Sequence, residues 1–228
     1  MNVTELNAMT KYRKIYTLFE RSKDFKVIEG TFNEELKGIR NIKNFVLTMK
    51  IDGTNCGIVL VPSEKGFPDV QVLVRKRSKI VQDDQEHKIY FDAVKSLDLT
   101  KAIDFFNGSK NVVVLYGEVC GKGIQEEGHT YSDKPVFKLF DIKCGNNFFN
   151  WRDLLEFSKV TGVPTVKWLH PTALHNGDVF DYNMWKKYLE QLNTKKYCEG
   201  FVVRSEPLMF NNFGERMIFK IKWKDFKK

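Results

Sequence analysis

Leu47-Thr48-Met49-Lys50-Ile51-Asp52-Gly53-Thr54-Asn55 is the stretch from which the rest of the chain is read. It reads as the end of one strand, a tight glycine turn and the start of a second strand over residues 56–62, so that 45–61 form a hairpin. Lys50 stands where the apolar run Phe45-Val46-Leu47 meets the turn, which leaves its amine half desolvated. Desolvation and neighbouring cations both lower a lysine pKa, and a neutral amine is a nucleophile. In an extended chain Asp52 shares a face with Lys50. Gly53 lets a ligand approach the backbone closely, and Thr54 and Asn55 add a hydroxyl and an amide. By itself Lys-x-Asp-Gly is no more than a polar turn with a snorkelling lysine. Residues elsewhere in the chain decide its meaning.

Upstream, residues 1–44 mix charge with spaced apolar positions (Tyr12, Ile15, Leu18, Phe19, Phe25, Val27), as expected of a short helix followed by strand with little visible chemistry. Downstream, 70–74 alternate like a strand and run into Arg75-Lys76-Arg77-Ser78-Lys79. Such a cation cluster is ordinarily a solvated edge. Because its strand can pair with the Lys50 hairpin, a phosphate-facing role is the rival reading. Residues 82–106 have helical spacing. The β-prone run Val112-Val113-Val114-Leu115-Tyr116 then delivers Gly117-Glu118 and Gly121-Lys122-Gly123-Ile124-Gln125. This is neither G-x-G-x-x-G before an amphipathic helix nor a P-loop. It leaves a carboxylate, Glu118, at a strand end among glycines. Residues 136–142 read as a buried strand, 151–160 and 178–192 as amphipathic helices, and 198–204 as a strand opening on Glu199-Gly200. The final strand, 217–223, alternates strictly and puts Lys220 and Lys222 on one face. Two lysines there are costly if core-facing, unless they meet an anion.

With 42% hydrophobic residues and 19 phenylalanines, 228 residues suffice for a sizeable core. No uncharged apolar run approaches the roughly 18 residues of a membrane span, and the start lacks the pattern of a signal peptide. The four cysteines (Cys56, Cys120, Cys144, Cys198) form no C-x-x-C pair and read as free buried thiols of a reducing, cytoplasmic compartment. His170 and His175 read as loop residues rather than zinc ligands. A net charge of +8 favours a polyanionic partner, though a merely soluble basic protein is compatible with it. Without repeats or a clear linker, the pattern is a single α+β domain rich in antiparallel strands.

Taken in order, Lys50-Ile51-Asp52-Gly53, Gly117-Glu118, the Phe140-Asp141-Ile142 strand, Glu199-Gly200 and Lys220-Ile221-Lys222 resemble the motif series shared by polynucleotide ligases and mRNA capping enzymes. The Thr54-Asn55 extension and the continuation to Gln125 are most similar to the nick-sealing RNA ligase 2 family. The resemblance covers about residues 40–224. It implies an α+β nucleotidyltransferase domain spanning 1–228, with antiparallel sheets flanked by helices and an ATP-binding cleft. Two departures stand out. Family members often carry histidine where this chain has Asp52, and the sequence stops directly after the last motif, so the expectation is a chain without a C-terminal OB or helical domain, either a truncated catalytic domain or a naturally minimal ligase.

The resemblance further implies an ATP-dependent RNA ligase. Lys50 would take AMP from ATP as a lysyl-AMP, pass it to an RNA 5′-phosphate, and a 3′-hydroxyl would then seal the strand. Mg²⁺ (or Mn²⁺) would neutralise the phosphates, with Glu199 as metal ligand. Lys220 and Lys222 would hold the α-phosphate, Glu118 the ribose, and Phe140 the adenine, with Phe137 as the other aromatic candidate. Arg77, Asn55 and the neighbouring Met49, Asp52, Gly53 and Thr54 complete the nucleotide contacts. The expected partners are RNA ends or nicked RNA duplex, the expected state a monomer. Rival readings are a DNA ligase core, a GTP-using capping guanylyltransferase, and a catalytically inactive nucleic-acid-binding relative.

Overall fold

A computed structural model describes residues 1–24, 26–169, 180–194 and 197–226. Phe25, His170, His175 and the first residues expected of the 178–192 helix lie outside the described residues. The elements begin with α1 (Val3–Thr10), β1 (Tyr16–Thr17), β2 (Phe19–Arg21), β3 (Val27–Phe32), a 3-10 helix (Glu34–Asn41) and β4 (Phe45–Met49). There follow β5 (Thr54–Pro62), β6 (Val70–Lys76), β7 (Ile80–Val81), α2 (Lys88–Lys95), α3 (Thr100–Phe105), β8 (Val113–Cys120) and β9 (Val136–Cys144). The last are β10 (Asn147–Phe148), α4 (Trp151–Thr161), β11 (Trp168–Leu169), α5 (Tyr182–Asn193), β12 (Gly200–Ser205) and β13 (Ile218–Lys222). No helix among the described residues is long and apolar enough to cross a membrane.

The chain divides into two compact units, one of residues 1–13 and 52–165, the other of 14–51 and 166–228. The first unit is built on a six-stranded sheet in the order β10-β9-β8-β5-β6-β7, antiparallel throughout. Its centre, β5, carries the unbroken buried run Cys56–Leu60, as a strand covered on both faces requires. Helices α2 and α4 pack on β9, and α3 on α4. α4 starts after Asn150, as its sequence suggests, although the Asn150 side chain makes no capping bond. It ends on Gly162 in the left-handed conformation (φ 78°).

The second unit carries a five-stranded sheet, β1-β13-β12-β4-β11, and the small pair β2-β3. Leu47 of β4, Phe201 and Val203 of β12, and Phe219 and Ile221 of β13 all point into one core with Trp185 and Leu189 of α5. The alternation expected for the last strand is therefore observed. Phe219 and Ile221 are buried, and Lys220 and Lys222 lie on the opposite face, half-buried. α5 begins where Asp181 accepts hydrogen bonds from the Asn183 and Met184 N–H groups.

The 45–61 hairpin does not form. β4 pairs with β12 and β11, whereas β5 pairs with β6 and β8 in a different sheet. Residues 50–53 are outside any strand, and their backbone donors go elsewhere: the Lys50 N–H to the Gly200 carbonyl (2.9 Å) and the Asp52 N–H to Tyr131 Oη (3.2 Å). A hairpin would need those groups paired across the turn, so the shared face of Lys50 and Asp52 that it implied lapses too. The 82–106 helix is likewise two helices. Asp98 accepts the Thr100 N–H (3.0 Å), a local bond that competes with helix continuation and restarts it at α3.

Candidate active site

In the second unit the chemistry gathers where three neighbouring strands end together. The β12–β13 register sets Gly200 opposite Lys222, and the Lys50 N–H bonds to Gly200. Glu199, the residue before β12, thereby stands between the two lysines. Its Oε2 is 2.5 Å from Lys50 Nζ and its Oε1 is 3.2 Å from Lys222 Nζ. The Glu199 side chain is 11% exposed and the lysines about a fifth, so these are ion pairs shielded from bulk water. Lys50 Nζ also reaches the Ile51 carbonyl at 3.3 Å. Gly200 makes the approach possible. Its φ is 146°, and a Cβ there would sit 1.9 Å from the Ile221 carbonyl oxygen. Lys220 projects from the same face of β13 as Lys222. Met49, by contrast, packs its side chain against the core cluster beside Leu47.

In the first unit the Asp52–Asn55 segment is held from three sides. Besides the Tyr131 contact, Gln125 Nε2 donates to the Gly53 carbonyl (3.4 Å), and Thr54 Oγ1 is 2.8 Å from Tyr90 Oη. A Cβ on Gly53 would lie 2.5 Å from the Val119 carbonyl oxygen, so the close passage over β8 requires glycine. Glu118 lies within β8, not at its end, and is half-buried. Asn55 of β5 is directly opposite it on one side and Lys138 of β9 on the other. The Asn55 Oδ1 is buried with no hydrogen-bond partner, an acceptor left for a ligand to satisfy.

The aromatic candidates separate clearly. Phe137 is fully buried, its ring where a Cβ on Gly117 would be. Phe140 is the extra residue of a β-bulge, since Tyr116 pairs with Asp141 and Gly117 with Leu139. It is half-buried and edge-on to Tyr12 at 5.3 Å between ring centroids. Arg77 is exposed in the β6–β7 turn, but its neighbour Arg75 is not part of a solvated edge. Arg75 is fully buried over Gly57, where it donates to the Thr10 carbonyl, and burial lowers its pKa. Tyr116 Oη donates to the same carbonyl at 2.8 Å, and Tyr12 Oη donates to Asp141 at 2.8 Å. The first thirteen residues, which showed no chemistry as sequence, thus line the sheet face that bears Asn55 and Glu118. Tyr90, Tyr131 and Lys138 carry no sequence signal, because only the fold brings them to these positions.

Among the described residues no group of three or more His, Cys, Asp or Glu side chains could cage a metal. Both oxygens of Glu199 already face ammonium groups. A divalent cation there would have to displace at least one of those ammonium groups and be carried mainly by phosphate oxygens, with Glu199 as its one protein carboxylate, the habit of Mg²⁺.

Residues 43–222, more than half of the chain, match the family model described as RNA ligase. Among curated proteins no sequence matches. Solved structures similar to this chain include the following three. The Naegleria gruberi RNA ligase with pyrophosphate is 18% identical (TM-score 0.58) over 98% of this chain and 65% of its own. An archaeal ATP-dependent RNA ligase is 14% identical (TM-score 0.60) over 95% and 49%. A candidate ATP-dependent DNA ligase from Aquifex aeolicus is 16% identical (TM-score 0.58) over 95% and 50%. At these identities the likeness is one of fold, and the chain spans about half to two thirds of their lengths. Variants of the Naegleria enzyme were solved with ATP or AMP and manganese.

Proposed function

The chain belongs to the RNA ligase family, and from that membership we propose that it is an ATP-dependent RNA ligase acting through a lysyl-AMP on Lys50. Residues 1–228 are read as one nucleotidyltransferase domain. The observation that carries the reading is the Lys50–Glu199–Lys222 ion cluster, a nucleophile candidate held in a shielded, cation-rich setting. As an ammonium, Lys50 has no lone pair. Its proton must leave before attack, and Glu199 Oε2 is the carboxylate oxygen at 2.5 Å. The free amine then forms a bond to the α-phosphorus of ATP while the bond to pyrophosphate breaks. Lys220 and Lys222 hold the negative charge that develops on the phosphoryl oxygens. A divalent cation carried by the phosphates, with Glu199 as its protein carboxylate, would supply further charge neutralisation. Glu118 engages the ribose, and Asn55 offers its unpaired Oδ1 to a donor of the nucleotide. AMP passes next to an RNA 5′-phosphate, and a 3′-hydroxyl displaces it to seal the strand.

Incubation with α-labelled ATP or GTP and Mg²⁺, read by denaturing gel and intact mass, tests the first step. An AMP adduct that is absent from Lys50→Ala is expected. An adduct retained by Lys50→Ala would remove the nucleophile assignment, and a GMP adduct would move the protein to the capping class. No adduct from either nucleotide, after pyrophosphate treatment to clear pre-bound AMP, would favour the inactive nucleic-acid-binding relative. The fold likeness to a candidate DNA ligase favours one second reading, a DNA ligase core. Sealing of nicked duplexes with RNA or DNA at the 3′-hydroxyl side separates the two.

A further inference from the structure

Residues 206–217, which join β12 to β13, fold back on themselves as a short finger. Phe210 and Arg216 pair as an antiparallel bridge, and the Met217 N–H donates to the Met209 carbonyl at 2.8 Å. At the tip the Asn211 Oδ1 accepts the Phe213 and Glu215 N–H groups (2.9 and 2.8 Å), and the Gly214 N–H donates to the Asn211 carbonyl (3.0 Å). This tied-down tip holds apolar side chains in water. Phe213 is 84% exposed, Phe210 50% and Met209 45%. A single exposed apolar residue needs no explanation, but two rings and a thioether on one hydrogen-bonded turn form a patch. The finger stands at the end of the strands opposite the Lys50–Glu199–Lys222 cluster. Gly200 pairs with Lys222 at the cluster end and Arg204 with Ile218 at the finger end, four residues or about 13 Å along the strand.

The surroundings favour one kind of occupant. The base of the finger meets the C-terminal end of the 3-10 helix. A Cβ on Gly38 would lie 2.8 Å from Met217 Cε, and the Glu206 N–H donates to the Asn44 carbonyl at 3.0 Å. That helix keeps Glu34 and Glu35 in its first turn and Arg40 in its last, and exposed Lys43 follows. Arg40 is exposed too, its guanidinium steadied over the Phe32 and Phe180 rings. Exposed rings beside cations suit an unpaired nucleic-acid strand, whose bases stack and whose phosphates need positive charge. A protein partner would need about 800 Å² of this face. Three side chains of about 200 Å² each, at those exposures, offer roughly 350 Å². Bases within a duplex are already stacked on their neighbours, so the rings can take only unpaired ones. We propose that Phe213 and Phe210 stack on unpaired bases of RNA flanking the ends to be joined, with Arg40 and Lys43 on its phosphates. The assignment rests on the ligase reading above and adds to it an RNA contact remote from the reacting groups.

The test is fluorescence anisotropy of the whole chain with a single-stranded oligouridylate and with a blunt RNA duplex of the same length, self-adenylylation being read in parallel. Phe213→Ala should weaken binding of the single strand about tenfold and leave duplex binding and adduct formation at wild-type levels. Phe213→Leu, apolar but without a ring, should lose as much, and Phe213→Trp should bind as wild type does. An unchanged affinity of Phe213→Ala for the single strand overturns the proposal. Equal losses on strand and duplex overturn it as well, and so does wild-type affinity in Phe213→Leu, which would make the contact merely apolar. A dimer in sedimentation that Phe213→Ala dissociates would assign the finger to a second copy of this chain instead. A wild-type chain that forms no adduct defeats the ligase reading, and the affinity ratio for the single strand still decides the role of Phe213.

Discussion

Both oxygens of Glu199 face ammonium groups, so this carboxylate holds Lys50 Nζ and Lys222 Nζ close together. Glu199→Gln keeps the shape and removes the charge. It should lower the rate of AMP transfer to Lys50 by roughly 10²-fold while circular dichroism stays unchanged. A wild-type rate of labelling would take Glu199 out of the chemistry. One residue earlier, Cys198 is buried and donates to the Gly200 carbonyl at 3.6 Å. Burial pushes its thiol up to about 11 from 9.0. The folded chain thus holds this proton more tightly than the unfolded chain does. Stability from the neutral thiol is complete below about pH 9 and declines as pH rises through 11, because the unfolded thiol ionises first. Melting curves of Cys198→Ala should fall less steeply than wild type between those values. Parallel curves would remove Cys198 from the alkaline transition.

Among the elements, β12 does the most to place the cluster, since it lies between β4 and β13 and sets their register. Its first residue, Gly200, adopts φ 146° against the Ile221 carbonyl. Gly200→Ala should push the two strands apart at that point and cost about 3 kcal/mol or more in urea unfolding. Loss of the Glu199–Lys222 pair, and with it of adduct formation, should accompany the change. A midpoint within experimental error of wild type would show that β13 can shift to accept the methyl group. Element types were largely legible in the sequence, because the apolar run of β5 and the alternation of β13 are local signals. The partnering of β4 was not. Hairpin proximity along the chain suggested β5, but the core shared with β12 and α5 decided otherwise.

For the molecule as a whole, the net charge of +8 becomes a prediction about RNA. Binding to a nicked RNA duplex should be led by phosphate contacts and should weaken steeply with salt, by about tenfold or more between 50 and 200 mM. Filter binding or anisotropy across that range checks it, and a salt-independent affinity would deny the basic surface a role. Competitor RNAs of different sequence but equal duplex form should bind alike, since A-form shape and 2′-hydroxyls are what such a surface reads.

The sequence by itself determined the family, the α+β class, the strands that carry the motifs and the chemical identity of Lys50, Glu118, Glu199, Lys220 and Lys222. These follow from residue type and local spacing, which need no knowledge of what lies opposite. Only the tertiary structure decided that Glu199 bridges Lys50 and Lys222, that Arg75 is interior, that Tyr131 and Tyr90 clamp the Asp52–Asn55 segment, and that Lys138 faces Glu118. Each of those pairs residues far apart in the chain through strand register and burial. A one-residue change of register would turn every side chain to the other face, and nothing local in the sequence states which register wins.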